Sequence, residues 1–319
     1  MLRDRRSFLG AVAAAVLAPH LARAQDGPLR IVVPFSAGSG TDVMARVVAD
    51  AITKSSGRVV IVDNKSGAGS VLGTVDVVRS RPDGSTLLFT TGGHTTNAIL
   101  MKKLPFDSVA DFTPITLLSR SSGFALLVGE KSPYKSLNQF IAAAKAKPGA
   151  LTYGSSGVGN TTHVVGALFC KGVGIDLIHV SFKGTPITEL LAGTVDSAFL
   201  SPIVAGQQIR AGQLRALGIS GTSRSSILPD VPTFAEAGLK VQDIPAWAGL
   251  FGPAKMPPEV VQSLYETIAK AGQSASVTNF MHINGSEVEA MPPGPFKAYV
   301  TSEIERYRKL LPPLGIQMN

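Results

Sequence analysis

From Leu29 onward the chain repeats one local pattern: a short apolar run, a turn of glycine and small polar residues, then apolar residues at helical spacing. Strands joined through helices lie parallel, because the helix carries the chain back to the edge where the strand began. The alternation therefore confines the chain to the α/β class, with parallel sheet covered on both faces. Residues 29–35, 58–63 and 85–91 read as strands, and 41–54, 70–79 and 94–101 as helices. The 41–54 helix puts Val43, Met44, Val47, Val48, Ala51 and Ile52 on one face, with Thr41 or Asp42 as its cap. A second unit follows, with strands at 124–129, 151–155, 178–182, 195–200 and 214–220 and helices at 136–147 and 160–170. Residues 229–232 mark a long loop. A strand at 246–251 returns to the first unit, followed by a helix to 271 opened by Pro257-Pro258 and a last helix at 295–311. The chain thus divides into residues 25–123 with 245–319, and 124–244, with the last helix free to pack on either. Two domains joined by two crossings place the natural site in the cleft between them.

The first 24 residues obey a different rule. Arg3, Arg5 and Arg6 precede an apolar run from Leu9 to Ala18 and a small-x-small site, Ala22-Arg23-Ala24. This is the layout of a secretory signal, and the run is too short to span a bilayer. Arg5-Arg6-Ser7-Phe8-Leu9 also fits a twin-arginine signal, although a general secretory signal remains an alternative. Cleavage near Ala24 would send the chain to the periplasm. Of 30 basic and 22 acidic residues, four Arg and Asp4 lie in this segment, so 26 and 21 remain. They are scattered, which argues against a nucleic-acid footprint. Cys170 is the only cysteine, so no intrachain disulfide is available, and its apolar helical setting reads as a buried, inert thiol.

Two strand-to-helix turns stand out: Ala37-Gly38-Ser39-Gly40-Thr41-Asp42, and Gly154-Ser155-Ser156-Gly157-Val158-Gly159-Asn160-Thr161-Thr162. Each offers free backbone N–H groups, small side chains and the positive end of a helix dipole, which suits an anion. Nucleotide readings fit poorly: no G-x-x-x-x-G-K-[ST] is present, and Gly38-x-Gly40 lacks a third glycine. Hydrolase readings fit poorly too, without a G-x-S-x-G elbow or an H-E-x-x-H pair. His163 reads as a helix residue or a donor behind the ligand rather than a general base. His94, after Gly92-Gly93, is expected to border the cleft. No metal site or cofactor is expected.

Taken in order, Pro34-Phe-Ser-Ala-Gly-Ser-Gly-Thr-Asp42 with Arg46, Val62-Asp-Asn-Lys-Ser-Gly-Ala-Gly69, Tyr153-Gly-Ser-Ser-Gly-Val-Gly-Asn160, Phe182-Lys-Gly-Thr-Pro186 and Trp247-Ala-Gly-Leu-Phe-Gly-Pro253 resemble the tripartite tricarboxylate transporter receptors, also called the Bordetella uptake gene (Bug) family. The resemblance runs over nearly the whole chain after residue 24. It implies a type II periplasmic-binding-protein fold, two α/β domains closing on a ligand cleft, and delivery of a small mono-, di- or tricarboxylate to a membrane permease. It implies ligand contacts at Phe35, Ala37, Gly38, Ser39, Gly40, Thr41 and Asp42, and at Ser155, Ser156, Gly157, Gly159, Asn160 and Thr161. Lys183 and Ser201 are further candidates. Ser36, Ser39 and Phe182 stand where the family usually has Pro, Gly and Tyr, which favours a less polar or aromatic carboxylate. A monomer without a nucleic-acid partner is expected. The competing readings are an exported enzyme acting on a carboxylate and the effector domain of a transcription regulator.

Overall fold

A computed structural model describes residues 27–316; the secretory signal expected at 1–24 lies outside the described residues. Two separate sheets form. The first has the order β11-β4-β10-β3-β1-β2, from β1 (Leu29–Val33), β2 (Val60–Asn64), β3 (Thr86–Thr91), β4 (Phe112–Ser121), β10 (Ala246–Pro253) and β11 (Ser286–Met291). The second has the order β7-β6-β8-β5-β9, from β5 (Ala125–Gly129), β6 (Thr152–Ser155), β7 (Ile178–Ser181), β8 (Ser197–Leu200) and β9 (Leu214–Ile219). The parallel sheet expected for the first three strands is present, and each sheet also carries antiparallel members. β3-β1-β2 and β7-β6-β8 are parallel, but β10 runs antiparallel to β3 and β4, and β5 antiparallel to β8 and β9. The reversal follows from the crossings: a chain that enters or re-enters a sheet from the other unit does so from the opposite end.

The helices are α1 (Gly40–Ser56), α2 (Val71–Val78), α3 (Gly93–Leu100), α4 (Leu137–Ala146), α5 (Thr161–Val173), α6 (Ile187–Ala192), α7 (Pro202–Arg210), α8 (Pro258–Gly272), α9 (Ala275–Ile283) and α10 (Pro293–Leu310). α1 is capped by Ser39, whose Oγ accepts from Asp42 N, and stops at Gly57 in the left-handed region, φ 74°. Its buried stripe is Met44, Ala45, Val48, Ala49, Ala51 and Ile52; Val43, expected on that face, is exposed. That stripe packs with α8 and α9 on one face of the first sheet. Phe296, Val300 and Ile304 of α10 cover the other face. Farther along α10, Tyr307, with Leu311 just beyond it, joins the core of the second unit against Phe140, Val164 and Phe169. The last helix therefore spans both cores. Each fully buried Leu, Ile or Phe contributes about 1.5–3 kcal/mol, so this helix binds the two units together.

The crossings themselves pack tightly. Phe124 N donates to Ser220 Oγ at 2.9 Å, and Ser220 N to the Phe124 carbonyl at 2.9 Å. A Cβ on Gly123 would collide with the Ser220 carbonyl, and one on Gly221 with that of Ser122, so glycine is required where the two crossings touch.

Candidate functional site

Both glycine turns lie at the carboxyl ends of parallel strands and face a cleft of about 910 Å³ between the two sheets. Such ends are where open α/β sheets bind ligands. Phe35, Ala37, Gly38, Ser39, Gly40 and Thr41 of the first turn all line it. Asp42 does not. It is buried, accepting from Gly38 N at 2.8 Å, Asn64 Nδ2 at 2.9 Å and Arg46 Nε at 3.1 Å. Burial alone would raise its pKa, but the hydrogen bonds from Arg46, Gly38 and Asn64 and the Arg46 charge outweigh it, and the carboxyl is held below its ordinary value. Asp42 fixes the turn, with Gly38 at φ +79°, while the N–H groups of Gly40 and Thr41, in the first turn of α1, have no intrahelical acceptor.

In the second turn, Ser156, Gly157, Asn160 and Thr161 line the cleft, whereas Ser155 and Gly159 do not. Ser155 is 0% exposed, and its Oγ lies 2.6 Å from His179 Nε2. That pair would suit a nucleophile and base, but a substrate has no access to it. Gly159 N donates to His163 Nδ1 at 3.0 Å, Ser156 N to Thr162 Oγ1 at 3.0 Å, and Asn160 N to the Gly157 carbonyl at 3.2 Å. Most of this turn's N–H groups are therefore spent within the turn, and it offers fewer free donors than its sequence suggests. His163 stacks on His179, ring centroids 3.6 Å apart. Burial, with the neighbouring His179, lowers the His163 pKa to about 4. It supports the turn as a neutral acceptor.

His94 is the clearest correction. It was expected at the cleft border but is 3% exposed and packed among Phe106, Phe112 and Phe251, with Nε2 2.8 Å from the Ser108 carbonyl. Burial lowers its pKa to about 4. The glycines before it, Gly92 and Gly93, do line the cleft; in α3 the next side chain turns away from them to the opposite side.

Lys183, at the exposed rim, and Ser201, at the start of α7, both line the cleft. Three contributions were not foreseen as site residues. The turn at Ser66–Ser70 borders it with four successive positive φ values, 138°, 46°, 63° and 80° for Gly67, Ala68, Gly69 and Ser70. Ser119, Ser121 and Ser286 add hydroxyls from the first sheet, and Ser121 Oγ is buried with no hydrogen-bond partner among the described residues. Trp247, Phe124, Ile203 and Val204 supply apolar wall. Among the described lining residues Lys183 alone is charged, and none is acidic. The cleft can thus neutralise an anion through N–H groups, hydroxyls and one ammonium. The units meet across it: a Cβ on Gly40 would lie 3.1 Å from Val204 Cγ2, and Arg210 Nη1 donates to the Ile283 carbonyl at 2.6 Å.

This geometry agrees with comparison to known proteins. Residues 44–316 match the family described as tripartite tricarboxylate transporter family receptor. The chain belongs to that family. It is 32% identical over 315 residues to the UPF0065 protein in the tcbD-tcbE intergenic region of a Pseudomonas species, covering 96% of this chain and 94% of that one. Rpa4515 of R. palustris, solved with adipate, is 30% identical with a TM-score of 0.85, covering 91% of this chain and 98% of that one. MatC of Rhodopseudomonas palustris, solved with malate, is 30% identical with a TM-score of 0.82, covering 89% and 98%. The fold is the type II periplasmic-binding-protein fold expected from the sequence, and the family's members are solute-binding receptors.

Proposed function

We propose that this receptor is exported to the periplasm, captures a small carboxylate between its two units without chemical change, and presents it to a membrane permease of the tripartite tricarboxylate type. The observation that carries the reading is the cleft. Helix N-termini from two different sheets border one cavity, and Lys183 is the only charged residue among its described lining residues. Adipate and malate, the compounds bound by two relatives, set the size class to test first. The N-terminal segment, with its basic start, apolar run and Ala22-Arg23-Ala24, supports export and cleavage near Ala24.

The experiment is a thermal-shift screen of the mature protein, as a monomer, against mono-, di- and tricarboxylates, followed by calorimetry and recovery of the ligand. A ligand that binds only the folded state at a hundred times its Kd stabilises by about 2.7 kcal/mol. At least one carboxylate is expected to raise the Tm clearly and to be recovered unchanged. Silence across the panel, or recovery of an altered compound, would overturn the reading.

A further inference from the structure

We infer that Glu303 of α10 is a positioning residue for the ligand cleft, acting through the indole N–H of Trp247. The inference rests on the reading of this cleft as the ligand site. Glu303 is 4% exposed, an unusual place for a carboxylate, yet all its neighbours are arranged to serve it. Its Oε2 accepts from Trp247 Nε1 at 2.9 Å; Thr95 Oγ1 lies 3.2 Å from the same oxygen but has its shorter acceptor in the Gly92 carbonyl at 2.8 Å. Its Oε1 accepts from Tyr299 OH and Tyr307 OH, each at 2.9 Å. Three donors, the Trp247 indole and the Tyr299 and Tyr307 hydroxyls, offset part of the cost of burying this carboxylate, and removing it would leave a buried indole donor unsatisfied.

The partners say what the carboxylate does. Trp247 sits on β10, just past the crossing from the second unit, and forms part of the cleft wall. Indole can only donate, so its N–H fixes the ring only where an acceptor waits. Tyr307 belongs to the core of the second unit, while Trp247 belongs to that of the first. One side chain therefore ties the cleft wall to the helix that spans both cores.

The test uses three variants. Glu303→Met keeps the length and removes both acceptors. Glu303→Gln keeps one oxygen for Trp247 and turns its NH2 to the tyrosine hydroxyls, which can accept. Trp247→Phe removes the indole donor. Trp247 is the only tryptophan, so emission reports on this site alone. In ligand-free protein, Glu303→Met is expected to shift Trp247 emission to longer wavelength and raise its quenching by iodide, with Glu303→Gln restoring most of both. With adipate and malate as probes, Glu303→Met is expected to bind about fivefold more weakly. In the Trp247→Phe background the same change should have no further effect. Unchanged emission in Glu303→Met, or an equal loss of affinity in both backgrounds, would overturn the inference. If Glu303→Met does not fold, the wild-type indole N–H resonance decides: slow exchange with solvent supports the bond, and exchange at the rate of a free indole refutes it. If neither probe binds wild type, the carboxylate that raises its Tm most in the panel takes their place in the affinity cycle.

Discussion

Gly157 shows how one residue can set the shape of the cleft wall. Its φ of +125° is a conformation that side chains rarely adopt, while a Cβ there would find its nearest neighbour, the Phe182 carbonyl, 3.9 Å away. Space is therefore not the constraint within the protein; the backbone angle is. Gly157→Val should twist the turn, turn Ser156 and Gly157 out of the cleft wall, and lower affinity at least about tenfold, or roughly 1.4 kcal/mol. Calorimetry and thermal melting on one preparation check this, since a turn with no ligand role would lose stability and keep full affinity. The requirement for glycine was legible in the sequence. What was not legible is that the neighbouring N–H groups of Ser156, Gly159 and Asn160 are consumed by Thr162, His163 and Gly157. Such pairing depends on side chains a helical turn away and leaves no compositional trace. Asp42 taught the same lesson, because an acid at a helix start reads equally as ligand contact and as turn brace.

Elements with a clean period were legible, and those that break one were not. The strand at residues 29–35 and helix α1 were anticipated to within a few residues because buried residues recur at fixed spacing. β4 escaped because Phe112-Thr-Pro-Ile carries a proline inside the strand; the ladder absorbs it at a register shift beside Leu250 and Phe251. β11 escaped because it is an edge strand with Glu287 and Glu289 outside, and α9 because its short buried set is only Val277 and Met281. α3 was foreseen, but not which way its first side chain points. That placement of His94 has a pH consequence. The unfolded imidazole titrates near its ordinary 6.5, and burial lowers the folded value to about 4. Between those values the unfolded chain binds a proton that the fold refuses, so the stability is fully present above pH 6.5 and is lost as pH falls toward 4. The loss is on the order of 3 kcal/mol for one such group. The Tm is expected to fall between pH 7 and 5 while the His94 ring resonance stays in its neutral position. A ring midpoint near 6.5 would show that the phenylalanine cluster does not exclude water from it.

At the scale of the whole molecule the charge pattern decides which carboxylates fit. The chain carries a net +8, yet its cleft concentrates that sign in one exposed lysine, with hydroxyls and helix N-termini doing the rest. An anion entering such a space exchanges water for donors that are already oriented. An ammonium group on the same ligand finds hydroxyl and amide oxygens to accept from it but no countercharge, because no acidic side chain is among the described lining residues. Burying an unpaired charge costs several kcal/mol even after relaxation. Asp42 cannot easily serve as its partner: its oxygens already hold Arg46, Asn64 and the Gly38 N–H, and breaking those bonds would release the first turn. The aromatic walls of Trp247, Phe124 and Phe182 could attract a cation, but that attraction is about 0.5–2 kcal/mol and does not cover the loss. A dicarboxylate is therefore expected to bind at least about tenfold more tightly than its α-amino counterpart of equal length, with succinate against aspartate and glutarate against glutamate as matched pairs. Calorimetry at one pH and salt concentration measures the ratio directly. Equal affinity within a pair would show that the lining's neutral oxygens, or Asp42 turned into the cleft, hold the ammonium; loss of amino-acid binding in Asp42→Asn, with the plain acid spared, would single out Asp42.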